Sequence, residues 1–231
     1  MSNLDLFEPE RRSELDQYFT EAWIARRAAR WIPRGAVVLE PSCGSGNLVE
    51  GLVLAGHPIE NVLAFELDPA WAAHARTRFP GLLVNEGDFL KLTTGADVPN
   101  TVAASLQNPP YGNDLDLRFV ERTLAMLDRT APACVVAILK TDFEYSDGRA
   151  PFWRERARVR RRAMLVERPR FGAHVDGKKQ GGAERNYVVL EIVPRTAPRA
   201  PGAAEVVIEE RWSRTDPESC WTGPIAEVLA T

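Results

Sequence analysis

Three things are scarce in this sequence of 231 residues: cysteine, long apolar runs and any excess of positive charge. The three cysteines, Cys43, Cys134 and Cys220, are scattered and show no CxxC spacing. That excludes a disulfide framework and gives no metal-ligand set. No stretch approaches the roughly 20 apolar residues that a membrane helix needs. Met1 to Glu10 carries acids early and has no apolar leader segment. These absences predict a cytoplasmic chain with no membrane partner. Lys and Arg total 29 against 32 Asp and Glu, for a formal net charge of -3. A chain that gripped nucleic acid with its whole surface would be basic, so any such contact has to be a local patch. Hydrophobic residues make up 45% and charged residues 26%, an ordinary globular balance. The length suits one α/β domain with a little decoration, not two full domains.

What is present is an alternation of short apolar runs and amphipathic segments. The runs are Val37–Leu39, Val62–Phe65, Leu82–Val84, Thr101–Leu106, Cys134–Leu139, Ala163–Val166 and Tyr187–Val193. Continuous apolar runs separated by helical stretches imply a mostly parallel sheet covered on both faces. Seven such runs predict a doubly wound α/β fold with a seven-stranded sheet. A helix is expected over Glu21–Ile32, where Ile24, Ala28, Trp31 and Ile32 share one face before Pro33 and Gly35 end it. A second is expected at Phe119–Leu127, and Ser146–Pro151 reads as a loop. Residues 1–193 form the expected catalytic domain. Residues 194–231 form an extension that opens with a Pro/Ala/Arg stretch and includes a candidate edge strand at Val206–Glu209.

The segment Glu40-Pro41-Ser42-Cys43-Gly44-Ser45-Gly46-Asn47-Leu48 leaves the first strand and opens a helix. Glycines there let the backbone turn sharply and approach a ligand, and the helix N-terminus offers unpaired N–H groups. A tight strand-to-helix turn alone would use the same residues. Glu66 closes the second strand, about 20 residues further on, where an acid bonds the ribose hydroxyls of a nucleoside cofactor. Asp88, in Gly87-Asp88-Phe89-Leu90, is placed to accept from an adenine amino group while Phe89 packs on the ring. As a plainer alternative, Asp88 caps a helix.

The fourth strand runs into Gln107-Asn108-Pro109-Pro110-Tyr111-Gly112. Two consecutive prolines fix φ twice and remove two backbone donors. The carbonyls before them are then held in set directions. An amino group on an aromatic ring is a poor nucleophile because its lone pair is delocalised. The Asn108 side-chain oxygen and the Pro109 carbonyl are suited to accept its two hydrogens and leave the lone pair aimed at an electrophilic methyl group. Such catalysis rests on positioning and preorganised acceptors. Tyr111 is expected to stack on the target ring.

Together these segments resemble the amino-methylating class I methyltransferases, above all the DNA adenine-N6 methyltransferases in their gamma order of motifs. The resemblance covers roughly Tyr18 to Val193 and implies a Rossmann-like class I fold with S-adenosyl-L-methionine as cofactor. It implies cofactor contacts at Thr20, Glu40, Ser42, Gly44, Gly46, Glu66, Leu67, Asp88, Phe89 and Asn108. Thr20 would approach the methionine carboxylate, or simply cap the helix that follows it. Asn108, Pro109, Pro110 and Tyr111 would form the catalytic segment acting on a base flipped out of its stack. The implied partner is DNA, with RNA as an alternative. Asn-Pro-Pro-Tyr also occurs in enzymes that methylate RNA or a glutamine amide, and a catalytically silent scaffold is a further reading.

Substrate contacts are expected from Tyr111, Phe171, Lys178, Lys179 and Arg185. Arg154, Arg156, Arg158 and Arg160–Arg162, followed by Arg168 and Arg170, read either as a phosphate-binding run or as a solvated helix face. Phe143, Tyr145 and Phe152 are expected as a lid, and His174 has no assigned role. Gamma-type enzymes carry a target-recognition domain at the C-terminal end. Only some forty residues follow Val193 here, which suggests weak specificity or recognition borrowed from a second copy or a partner.

Overall fold

The structure is a computed structural model that describes residues 20–92, 98, 101–127, 133–169, 185–197 and 207–216. Phe171, Lys178, Lys179, Arg170, His174 and Cys220 lie outside these residues. The elements in chain order begin with α1 (Ala22–Ala29), β1 (Val37–Glu40), α2 (Asn47–Leu54), β2 (Val62–Glu66), α3 (Pro69–Arg78) and β3 (Leu83–Glu86). They continue with β4 (Val102–Gln107), α4 (Leu115–Leu127), β5 (Cys134–Lys140), α5 (Ala150–Glu155), β6 (Ala157–Leu165), β7 (Tyr187–Pro194) and β8 (Ile208–Trp212).

The eight strands of the described residues join one sheet in the order β3-β2-β1-β4-β5-β7-β6-β8. Strands β1 to β5 are mutually parallel, and β7 runs antiparallel to β5 and β6. The expected doubly wound α/β fold is therefore present, with one strand more than the seven apolar runs. The eighth strand pairs parallel with β6 at Ile208–Trp212 and lies slightly beyond the expected Val206–Glu209. Its polar Ile-Glu-Glu-Arg-Trp composition gave little apolar signal, and Trp212 anchors it. Trp212 is buried and packs edge-on against Trp31, ring centroids 4.8 Å apart. The Arg27–Asp216 pair and the Arg214–Glu21 pair also tie this segment to α1.

The winding direction reverses between β1 and β4, which opens a crevice at their carboxyl ends. Two apolar layers flank the sheet. One contains α1 and α2 with Ile24, Ala28, Val49 and Leu52, and the other contains α4 with Phe119, Val120, Leu124 and Leu127. The close approach of α1 to α2 depends on Gly51. A Cβ there would sit 2.6 Å from the carbonyl carbon and oxygen of Ala25. Glycine lets the helices touch at backbone distance, and this seats Thr20, two residues before α1, at the crevice.

The arginine run corrects an expectation. Only Arg154 lies on α5; from Ala157 the chain is extended as β6. The run is a strand because β7 provides a full antiparallel partner, with a bulge between Val159 and Arg161. Its arginines are engaged within the protein. Arg160 and Arg161 pair with the buried Glu191 of β7, and Arg162 holds Glu144 at 2.6 Å. The Arg161 guanidinium also lies 5.1 Å above the Trp31 ring. Neither a solvated helix face nor a free phosphate-binding row describes Arg160, Arg161 and Arg162. The expected loop at Ser146–Pro151 is likewise a short 3-10 turn at Asp147–Arg149 leading into α5.

Candidate functional site

The crevice is built from the loop after β1. Cys43 donates its N–H to the Phe65 carbonyl at 2.9 Å, which ties the loop to β2. Gly44 N–H donates to Glu66 Oε2 at 2.7 Å, and Asp68 N–H donates to Oε1 at 2.9 Å. Glu66 thus organises the loop on one side and the start of α3 on the other. Gly46 precedes α2 at φ 82°, and a Cβ there would meet the Phe79 ring at 2.6 Å. Only glycine satisfies both demands. Asp68 caps α3 by accepting from Ala70 N–H at 2.8 Å.

Two carboxylates lie beneath this loop. Glu40 is fully buried, its Oε1 accepting from Ser42 N–H at 3.3 Å. Its Oε2 has no hydrogen-bond partner among the described residues. Burial pushes the Glu40 carboxyl well above its ordinary range, against the backbone hydrogen bond from Ser42 and with added repulsion from Glu66. Burial raises Glu66 as well, opposed by hydrogen bonds from the Asp68, Gly44 and Leu67 backbone. Burial thus disfavours the charged form of both carboxyls.

A cavity of about 400 Å³ opens above. That is within the range of cofactor-sized pockets. Of the residues singled out from the sequence, Thr20, Ser42, Gly44, Glu66, Leu67, Asp88, Phe89, Asn108 and Pro110 line it. Glu40, Gly46 and Pro109 are not among the lining residues, and the first two support the loop from behind. Asp88 combines two positions. It faces the cavity and also caps the 3-10 turn at Phe89–Lys91 by accepting from Leu90 N–H at 3.0 Å. The Thr20 alternative as helix cap is not what occurs: Glu21 holds the cap position of α1 and makes no side-chain cap.

Further lining residues had no strong signal in the sequence. Cys43, Asn47, Asn113, Leu115, Arg118 and Phe119 all face the cavity. Asn113 and Asp114 adopt left-handed φ of 52° and 56°. Such consecutive strain in non-glycine residues clusters at functional turns. The available hint was Gly112-Asn113-Asp114 directly after Tyr111, a turn that swings the first residues of α4 over the crevice.

The β4 motif stands between two cavities. Asn108 and Pro110 face the first, and Tyr111 lines a second of about 240 Å³ with Asp116, Lys140, Asp142, Tyr145 and Arg149. Asn108 Nδ2 donates to Thr20 Oγ1 at 3.0 Å, and Tyr111 O–H donates to Asn108 Oδ1. The same phenol lies 3.1 Å from the Ile138 carbonyl. Tyr111 is buried, with Tyr187 edge-on at 5.5 Å and Lys140 Nζ 4.9 Å from its ring centroid. In this conformation its ring packs in the core and does not offer an open face for stacking.

The expected lid separates into unlike parts. Phe143 and Phe152 are buried in the α4-side core and pack against Trp153, whereas Tyr145 is 75% exposed at the second cavity. The two phenylalanines are core because the turn after β5 tucks back under α5. Arg185 is exposed. Among the described residues no cluster of His, Cys, Asp or Glu could hold a metal, and no helix is long and apolar enough to cross a membrane.

No protein-family model matches the chain. Solved structures do. A candidate class I S-adenosylmethionine-dependent methyltransferase from Listeria monocytogenes superposes with TM-score 0.60 at 16% identity, covering 94% of this chain and 71% of that one. A candidate RNA methyltransferase from Pyrococcus horikoshii gives TM-score 0.57 at 20% identity, covering 77% and 87%. The methyltransferase subunit of a type I restriction-modification system from Streptococcus thermophilus gives 0.56 at 13% identity, covering 79% of this chain and 47% of that subunit. At these identities the likeness is one of fold, a mostly parallel Rossmann-like sheet.

Proposed function

We propose that this chain is an S-adenosyl-L-methionine-dependent methyltransferase that modifies the exocyclic N6 amino group of adenine in DNA. The observation that carries the reading is the placement of Asn108. Its side chain lies at the carboxyl end of β4, between the cavity that holds Glu66 and Asp88 and the cavity lined by Tyr111. The fold is that of solved methyltransferases, among them a restriction-modification subunit.

The cavity fits the cofactor. Its volume and the acid at the end of β2 suit a nucleoside-bearing cofactor. Bound there, S-adenosyl-L-methionine supplies a methyl group on an electrophilic sulfonium. Glu66 holds the ribose hydroxyls with acceptor lone pairs not used by Gly44 and Asp68. Asp88 and Phe89 hold the adenine by its amino group and its face. Thr20, which lines the same cavity, would hold the methionine end. Residues 1–193 make up the catalytic unit.

Asn108 then acts on the acceptor. Its Oδ1 takes one amino hydrogen of the target adenine and the Pro109 carbonyl takes the other. This draws nitrogen lone-pair density out of the ring and points it at the cofactor cavity. No strong base is required, because a nitrogen that has gained a methyl group is acidic enough to lose its proton to water or to a neighbouring acceptor. The contribution of the protein is orientation and fixed acceptors. The target base enters from the Tyr111 side.

A second reading replaces DNA by RNA. The match to a candidate RNA methyltransferase, which covers 87% of that chain, favours it. Incubation with methyl-labelled cofactor and double-stranded DNA, single-stranded DNA, RNA or protein, with nucleoside analysis of the products, separates these readings. Label in N6-methyldeoxyadenosine supports DNA, and label in N6-methyladenosine supports RNA. Label confined to protein overturns both.

A further inference from the structure

We infer that Thr20 is a positioning residue for the reaction: its hydroxyl holds one end of the Asn108 amide so that the other end, Oδ1, is presented to the acceptor amine. The inference rests on the methyl-transfer reading of the site.

A side-chain amide has an oxygen and a nitrogen of nearly equal size on one carbon, so its shape does not decide which end faces a substrate. The chemistry does decide. An acceptor amine must meet the oxygen, since the Nδ2 end offers only hydrogens to a group that also carries hydrogens. The amide plane therefore needs fixed partners. In this structure Nδ2 donates to Thr20 Oγ1 at 3.0 Å, a contact that spans 88 positions of sequence. Thr20 is itself buried and fixed. Asn47 Nδ2 donates to its carbonyl at 2.8 Å, and the Gly51–Ala25 backbone contact seats α1 against α2.

The other end of the amide has a replaceable partner. Tyr111 O–H donates to Asn108 Oδ1, and the Ile138 carbonyl lies 3.1 Å from the same phenol oxygen. When an acceptor N–H takes Oδ1, the phenol proton turns to Ile138, and no buried hydroxyl is stranded. Tyr111 keeps the place that the substrate amine later takes, while Thr20 keeps the amide from turning. Valine at position 20 has the shape of threonine but no acceptor, and it removes the Thr20 hydrogen bond from Nδ2.

Two measurements on Thr20→Val and Thr20→Ser test the inference. The first is the side-chain NH2 signal of Asn108 in ¹⁵N-labelled protein, which reads the contact whether or not the protein is active. It should be protected from exchange in the wild type and in Thr20→Ser, and lose that protection in Thr20→Val. The second is methyl transfer at saturating cofactor. In Thr20→Val, kcat should fall roughly 10- to 100-fold, as expected for a misdirected catalytic acceptor, and Thr20→Ser should recover most of it. A contact to the methionine carboxylate alone would put the loss in cofactor Kd and leave kcat at saturation unchanged. An Asn108 signal indifferent to Thr20→Val, or an undiminished kcat, overturns the inference. A wild-type protein that labels no acceptor while the Asn108 signal responds as expected overturns the methyl-transfer reading instead, and with it the catalytic part of this role.

Discussion

Gly44 N–H donates to Glu66 Oε2 at 2.7 Å, so the acid that ends β2 fastens the loop that leaves β1. The contact joins two segments that are 22 positions apart and makes Glu66 both a wall of the cavity and a brace for it. Replacing Glu66 by Ala removes the acceptor for Gly44 and Asp68 together with the proposed ribose contact. Hydrogen bonds to a charged group contribute about 1.5–3 kcal/mol. Titration calorimetry should therefore show S-adenosyl-L-methionine binding weakened by about 10- to 100-fold. Unchanged affinity would remove Glu66 from the cofactor site.

Gly51 makes a prediction about assembly. Its Cβ position is occupied by Ala25 backbone, which cannot yield as a flexible side chain would. Gly51→Ala should cost about 1–3 kcal/mol, as overpacking does. For a domain of this size that lowers Tm by roughly 2–10 °C in calorimetry. Because Thr20 leads into α1, methyl transfer should fall further than stability alone explains. A variant with wild-type Tm would show that the two helices do not pack at backbone contact.

Glu40 predicts a dependence on pH. Burial raises its carboxyl above the ordinary value, so the folded protein holds this proton more tightly than the unfolded chain does. Its contribution to stability is then present at low pH and is lost as pH rises from the ordinary carboxylate value through the raised one. Glu40→Gln keeps an acceptor for Ser42 N–H and carries no charge. Urea unfolding between pH 4 and 8 should show the variant gaining on the wild type as pH rises. Parallel profiles would mean that Glu40 is not the strained acid the structure places beneath the loop.

Much of the architecture was legible in the chain. The apolar runs at Val62–Phe65, Cys134–Leu139 and Tyr187–Val193 became strands because strands buried on both faces must be apolar throughout. The glycine loop and Glu66 were legible because backbone geometry and charge leave residue-type signatures. The arginine-rich first part of β6 was hidden because its arginines are satisfied by Glu191 and Glu144, partners distant in sequence, and local composition resembles a solvated surface. Phe143 and Phe152, expected as a lid, are core for the same kind of reason: an aromatic after a strand is lid or core according to where the next element packs. The burial of Tyr111 and the Thr20–Asn108 contact depend on how α1 and β5 meet β4, which no spacing in the chain expresses.

Asn108 carries the central claim, and a single-turnover comparison tests it most directly. Wild type and Asn108→Ala are each loaded with methyl-labelled S-adenosyl-L-methionine to equal occupancy, mixed with double-stranded DNA, and digested to nucleosides. The account predicts label in N6-methyldeoxyadenosine for the wild type, and a rate at least about 100-fold lower for the variant. Cofactor affinity should remain within a few-fold. Undiminished transfer by Asn108→Ala, or a wild-type protein that binds cofactor and labels no nucleic acid, would contradict it.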